Sequence, residues 1–172
     1  WQYSEQTFGE TWFYDVDPLA NGNFLATTAR NGQTIIFELD PDTRERVWTE
    51  RFDIEDTHDA DLLPNGDLVV ANMRATTDGV PDDKVFIYNR TTDERTWEWR
   101  FRDHYPESTD GGYDEDWTHV NDVDYIGDDQ FLLSPRNFDQ AIVVNRSTGD
   151  IDMRLGSDGD YDTLHEQHNP DY

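Results

Sequence analysis

Short runs of alternating apolar and polar residues recur along this chain, separated by turn-forming pairs, and no stretch carries the i, i+3, i+4 apolar spacing of a helix. Three segments align. Asp15-Val16-Asp17-Pro18-Leu19-Ala20-Asn21-Gly22-Asn23-Phe24-Leu25-Ala26 matches Asp59-Ala60-Asp61-Leu62-Leu63-Pro64-Asn65-Gly66-Asp67-Leu68-Val69-Val70. Both match Asp122-Val123-Asp124-Tyr125-Ile126-Gly127-Asp128-Asp129-Gln130-Phe131-Leu132-Leu133, which has one extra residue at the turn. Each reads as a strand, a turn on Asn-Gly or Gly-Asp, and a second strand, because these residues accept the positive φ of a tight hairpin. A second hairpin follows each time. Ile35–Leu39 turns at Asp40-Pro41-Asp42-Thr43 into Arg46-Val47-Trp48. Val85–Tyr88 turns at Asn89-Arg90-Thr91-Thr92 into Thr96–Trp99, and Ala141–Val144 turns at Asn145-Arg146-Ser147-Thr148 into Ile151-Asp152-Met153.

Four strands in meander order make one blade of a β-propeller, so the chain is predicted to be all-β, with three blades and parts of two more. Residues 1–7 are expected to end a preceding blade, with Trp1-Gln2-Tyr3 aligned beside Trp48-Thr49-Glu50. Residues 8–53, 54–103 and 104–157 form the three blades, and 158–172 start the next, with Gln167-His168-Asn169-Pro170 as its first strand. The period is 44 residues from Asp17 to Asp61 and 63 from Asp61 to Asp124, lengthened by an acidic insert around Ser108–Asp116. Propellers close with about four to eight blades, which hides the sheet edges. The segment is therefore expected to be a piece of a longer chain, the alternative being a ring completed by a second copy.

Charge adds a second layer. Asp and Glu number 39 against 13 Lys and Arg, a formal net charge of -26, and Lys84 is the sole lysine. Such a charge repels itself in dilute buffer, whereas molar salt shortens the screening length to about 3 Å. The acids are scattered rather than blocked, which fits a salt-adapted protein better than an acidic tail for a basic partner. No basic stripe is present, so nucleic acid is not an expected partner. Aromatic content of 13% argues for a packed core. The sequence holds no cysteine, no apolar run long enough to span a membrane and no signal peptide. Sequons at Asn89 and Asn145 lean towards an exported protein, so an extracellular or cell-surface location is expected, with any membrane anchor outside this segment.

Inner strands line a propeller's channel, and their starts lie on the same face as the ends of the second strands. The starts carry Tyr14, His58, and His119 with Asn121; His168 begins the fourth, and the second strands end in Arg30, Arg74 and Arg136. Guanidinium groups and imidazoles around one mouth suit a tetrahedral oxyanion such as sulfate or phosphate. Each has a plainer reading. A histidine at a strand start is more often a hydrogen-bonded structural group, and Arg30 and Arg74 are expected to pair with inner-strand aspartates and lock blades together. His104 and His165 receive no role. The histidines lack short metal-ligand spacing, and without cysteine no metal site is expected. Asp158-Gly159-Asp160-Tyr161-Asp162 opens like a calcium loop but lacks the Gly and distal Glu of an EF-hand.

At these residues the chain resembles the arylsulfotransferase family. The matching motifs are His58-Asp59-Ala60-Asp61-Leu62-Leu63-Pro64-Asn65-Gly66, Trp117-Thr118-His119-Val120-Asn121-Asp122-Val123-Asp124-Tyr125, Leu132-Leu133-Ser134-Pro135-Arg136, and Gln167-His168. The His-x-Asn motif with the strand-end arginine is the specific part, whereas Pro-Asn-Gly turns are generic. The resemblance is to the shorter haloarchaeal members and implies a six-bladed ring with its active site in the central channel. It places His168 where the nucleophile lies, and His58, His119, Asn121 and Arg136 where the sulfuryl group and departing phenolate are bound. The implied reaction moves a sulfuryl group from an aryl sulfate to a phenol through a sulfohistidine, with no cofactor. The small-molecule partners are then an aryl sulfate and a phenol, and the macromolecular one is the remainder of the propeller. Two other classes remain open: a non-catalytic surface propeller binding glycans or proteins, and a quinoprotein-like dehydrogenase, whose repeat is similar to Asp40-Pro41-Asp42-Thr43 followed by Trp48.

Overall fold

The structure, a computed structural model, describes residues 12–170. Three four-stranded antiparallel sheets account for nearly all of its regular structure. The first is β1 (Trp12–Pro18), β2 (Phe24–Arg30), β3 (Gln33–Leu39) and β4 (Arg46–Phe52); the second uses β5 (Ala60–Leu62), β6 (Leu68–Asn72), β9 (Lys84–Asn89) and β10 (Glu94–Arg100). Between β6 and β9 a small ribbon, β7 (Thr76–Thr77) with β8 (Val80–Pro81), extends from the second sheet's loop. The third sheet is β11 (Val120–Gly127), β12 (Gln130–Pro135), β13 (Gln140–Asn145) and β14 (Ile151–Gly156). Among the described residues helical structure is limited to single 3-10 turns. The fold is the expected all-β arrangement of propeller blades, with Asp17, Asp61 and Asp124 on the inner strands β1, β5 and β11.

Period-two alternation explains how the blades stack. In β6 all five residues are buried, yet they serve two cores. Leu68 and Val70 face the first blade beside Leu25, Ile36, Phe52, Ala60 and Phe86. Val69 and Ala71 face the third blade beside Val85, Ile87, Trp99, Val123, Phe131 and Leu133. A strand apolar on both faces is stable only between two sheets, which is why the middle blade reads as a continuous apolar run. Each fully buried Leu, Val or Phe contributes about 1.5–3 kcal/mol.

Polar staples join the inner strands. Asp59 takes the N–H of Val123 on Oδ2 at 2.7 Å, and Asp61 takes that of Tyr125 on Oδ2 at 2.9 Å. The second blade's aspartates therefore cap the third blade's backbone 64 residues on, satisfying buried donors that no strand pairs.

The insert between β10 and β11 folds onto the third blade. Trp117 is fully buried between Tyr113 and Phe138 and donates from Nε1 to the Thr109 carbonyl at 3.0 Å. His104 stacks on Trp99 at 4.4 Å between ring centroids, a packing role. Gly156 ends β14 at φ 81° where a Cβ would strike the Asp139 carbonyl, so only glycine fits there. The residues that follow depart from expectation. Gln167-His168-Asn169-Pro170 forms no strand, because Glu166 and Asn169 hold left-handed φ values of 47° and 48° and Pro170 has no N–H to donate. The expected blade end at residues 1–7 lies outside the described residues.

Candidate active site

Two bulges shape the channel mouth. The β1–β2 register shifts between Phe13 and Asp15, and the β11–β12 register shifts between Val120 and Val123. A bulge inserts a residue and re-aims its side chain. Here the displaced residues include Tyr14 in one strand and Asn121 and Asp122 in the other. Tyr14 stacks on His58 at 4.3 Å between centroids, and His58 meets His119 edge-on at 5.0 Å. Three blades thus contribute one aromatic row.

Carboxylates outside the row fix it. His119 Nδ1 lies 2.7 Å from Asp116 Oδ2, and Arg74 Nε lies 2.9 Å from Asp116 Oδ1. Arg74 also pairs through Nη1 with Asp56, which accepts the Tyr14 hydroxyl. Arg74 therefore locks blades together as expected, but through loop aspartates rather than inner-strand ones. Buried Asp83 accepts both the N–H of Thr118, at 3.2 Å, and its hydroxyl, at 2.7 Å. That bond fixes the residue before His119, whose φ of 41° would otherwise be unfavourable.

The remaining expected residues form a second group. Asn121 is buried and donates from Nδ2 to the Gln167 carbonyl at 3.0 Å. Gln167 in turn donates to the Gln140 carbonyl at 2.5 Å and the Ser134 hydroxyl at 3.2 Å. Arg136 Nη2 pairs with Glu166 at 2.8 Å. Both residues hold the loop carrying His168 rather than reaching the aromatic row. His168 is exposed, and its Nδ1 lies 3.1 Å from the Glu166 carbonyl. Among the charges that help to lower His58, that of His168 is the smallest. Arg30 borders a depression that also takes in Tyr14, Glu55 and Asp56. His165 packs against Tyr161.

Electrostatics sorts the histidines. Burial, then the neighbouring His119, pushes His58 down to about 4 against the pull of Asp56, so it is neutral at pH 7. Burial raises Asp116, but hydrogen bonds from His119 and Arg74 outweigh it and hold this carboxyl below its usual range. Below the mouth the channel wall has the opposite character. Burial, then the charge of Asp124, lifts Asp122 to about 8. Burial and a hydrogen bond with Asp15 lift Asp17 to about 7, and burial also raises Asp59 and Asp61. One carboxylate oxygen from each of Asp15, Asp17 and Asp59 lies within 4.8 Å of the others. Sequence reasoning used these aspartates only as repeat markers.

A family profile described as "Arylsulfotransferase (ASST)" matches residues 2–168. The chain belongs to the arylsulfotransferase family. Among curated proteins none matches. Two solved structures share the fold. One is a protein of unknown function from Bacteroides caccae, at 12% identity and TM-score 0.52, with 83% of this chain and 48% of that one covered. The other is the Myceliophteria thermophila Cps50 (Swd1) beta-propeller domain, at 15% identity and TM-score 0.50, with 88% and 43% covered. The matched part of this arylsulfotransferase-family chain covers less than half the length of either. No helix among its described residues is long and apolar enough to cross a membrane.

Proposed function

We propose that this arylsulfotransferase segment carries a histidine-based sulfuryl-transfer site, with His168 as nucleophile and His119 as acid and base. The observation that supports the reading is the contrast between His119, held by a carboxylate, and His168, exposed on a loop that Asn121 anchors. If His168 Nδ1 donates its proton to the Glu166 carbonyl, the lone pair rests on Nε2 at the exposed edge of the ring. Nε2 attacks sulfur, the bond from sulfur to the aryl oxygen breaks, and the phenolate takes a proton from His119 Nε2. In the second half, a phenol loses its proton to His119 as its oxygen attacks the N-sulfo group, and the S–N bond returns its electron pair to His168. Covalent catalysis divides one difficult transfer into two easier ones.

Asp116 accepts the hydrogen bond of His119 Nδ1–H, so Nε2 is the nitrogen at which His119 carries the proton it gives up in the first half and regains in the second. His58, neutral at pH 7, serves as a hydrogen-bonding wall for the leaving oxygen rather than as the acid. Asn121 positions His168 through the Gln167 carbonyl. Arg136 meets the sulfuryl oxygens by exchanging its Glu166 partner for them, a charge-assisted contact of the same kind. The protein is expected to act outside the cell, in concentrated salt, as part of a complete propeller.

The test is incubation of the full-length protein with an aryl sulfate and no acceptor, followed by mass spectrometry of the peptide containing His168. A sulfuryl adduct on His168 is expected, and His168→Ala is expected to abolish it together with phenol release. Equal phenol release by His168→Ala would overturn the mechanism. Absence of release by the intact protein in molar salt would favour a binding propeller.

A further inference from the structure

The turn between the third and fourth strands has the same build in all three blades. Its first side chain accepts two backbone N–H groups. Asp40 Oδ1 takes those of Asp42 and Thr43 at 2.8 and 3.1 Å, and Asn89 Oδ1 those of Thr91 and Thr92 at 2.9 Å each. Asn145 Oδ1 takes those of Ser147 and Thr148 at 3.0 and 3.2 Å. Such a turn needs only an oxygen acceptor, and Asp40 shows that a carboxylate supplies it. The amide nitrogens of Asn89 and Asn145 are therefore surplus to the turn. Both asparagines open a sequon, Asn89-Arg90-Thr91 and Asn145-Arg146-Ser147, whereas Asp40-Pro41-Asp42 is none.

The two sequons differ in what the fold leaves accessible. Asn145 Nδ2 donates to Asp152 at 3.2 Å, and the Ser147 hydroxyl donates to Asp129. Among the described residues none accepts a hydrogen bond from Asn89 Nδ2 or from the hydroxyl of exposed Thr91. Arg90, between them, is folded away from the tip: its guanidinium lies 3.5 Å over the Trp48 ring, and its Nε is 3.2 Å from Glu50. The tip also stands at the far end of the blade from the mouth. Tyr88 pairs with Leu68, from which β6 runs towards Arg74 at the mouth. A bulky group on Asn89 therefore leaves the histidines uncovered.

We propose that Asn89 is an N-glycosylation site and that the fold withholds Asn145 from the same modification. The co-reactant is a glycan carried on a lipid phosphate. Asn89 Nδ2 bonds the anomeric carbon of the glycan. The bond from that carbon to the phosphate oxygen breaks, its electron pair stays on the phosphate, and one amide proton passes to a base of the transferase. The inference rests on the extracellular reading above, because sequons are modified on exported chains.

Full-length protein with an added secretory signal is produced in a salt-tolerant host whose own exported proteins carry such glycans. Peptides containing Asn89 and Asn145 are then weighed by mass spectrometry. Most of the Asn89 peptide is expected to carry the glycan mass, and several-fold less of the Asn145 peptide. Asn89→Asp keeps the turn's acceptor, as Asp40 does, and Thr91→Ala keeps the backbone N–H. Each should abolish the modification at this turn with an unchanged circular dichroism spectrum. Asp129→Ala combined with Asp152→Ala should raise occupancy of Asn145 several-fold. An unmodified Asn89 in the secreted protein overturns the inference, and so does equal occupancy of the two asparagines. Recovery of the protein only inside the cell when the added signal is left off would overturn the extracellular reading, a result separate from occupancy at Asn89.

Discussion

The mouth of the channel and its wall are built by the same inner strands, a residue or two apart, yet they handle charge in opposite ways. At the mouth carboxylates meet basic groups: Asp116 meets His119, Asp116 and Asp56 meet Arg74, and Glu166 meets Arg136. Along the wall, carboxylates face carboxylates, and Asp59 and Asp61 are compensated only by backbone N–H groups. The difference follows from where partners come from. Loops supply Asp56, Asp116 and Glu166 around the rim, whereas the wall sees only neighbouring inner strands, which repeat the same acidic motif. A repeated sequence therefore yields a like-charged wall, and its irregular insertions yield the paired site.

The largest expected effect separates the two by salt. Lowering salt from molar to about 0.1 M lengthens the screening length from about 3 to about 10 Å, which strengthens repulsion along the wall and over a surface of net charge -26. Circular dichroism should show loss of the folded state as salt falls, even though the mouth's ion pairs gain strength. An unchanged melting temperature would mean that wall repulsion is already relieved. Next, Asp116→Asn removes the carboxylate shared by His119 and Arg74. Transfer by the full-length protein should fall roughly 100-fold or more, the scale of misorienting a catalytic base, while the melting temperature moves little. Unaltered turnover would leave His119 without a part in catalysis.

The smallest effect is in the pH dependence of stability. His58 has a folded pKa of about 4 against an ordinary 6.5, so its contribution is intact above pH 6.5 and is lost as pH falls towards 4. Allowing for the partial exposure of the ring, this amounts to about 1 kcal/mol. Asp122 runs the other way. Its folded pKa of about 8 exceeds the ordinary 3.8, so its contribution is full below 3.8 and is lost as pH rises through 8. Denaturant titrations across this range should show His58→Gln flattening the acid limb and Asp122→Asn the alkaline limb. A substitution that flattens the wrong limb would reverse the assignment of the two regions.

Much of this was legible in the residues themselves. Hairpin turns on Asn-Gly and Gly-Asp, with aligned aspartates at fixed offsets, specify strands and register locally, and the continuous apolar run Leu68–Ala71 suits a strand with a core on each face. The Trp117-Thr118-His119-Val120-Asn121 motif, with His58, Arg136 and Gln167-His168, carried the resemblance to the family whose profile matches residues 2–168. The partners were not. Arg74 meets Asp56 and Asp116 at separations of 18 and 42 residues, and only the closing of two loops brings them together. Bulges at Tyr14 and Asn121–Asp122 leave no signature in an alternating pattern, although they displace these residues from the regular register. The strand expected at Gln167–Pro170 failed because side-chain anchoring and left-handed backbone at its flanks overrode local extended preference. Sequence alone determined the blades, since strand and turn preferences act between near neighbours. Tertiary structure alone decided the charge pairing and the wall's carboxylate cluster, since Coulomb energy depends on distances that repeat periodicity does not encode.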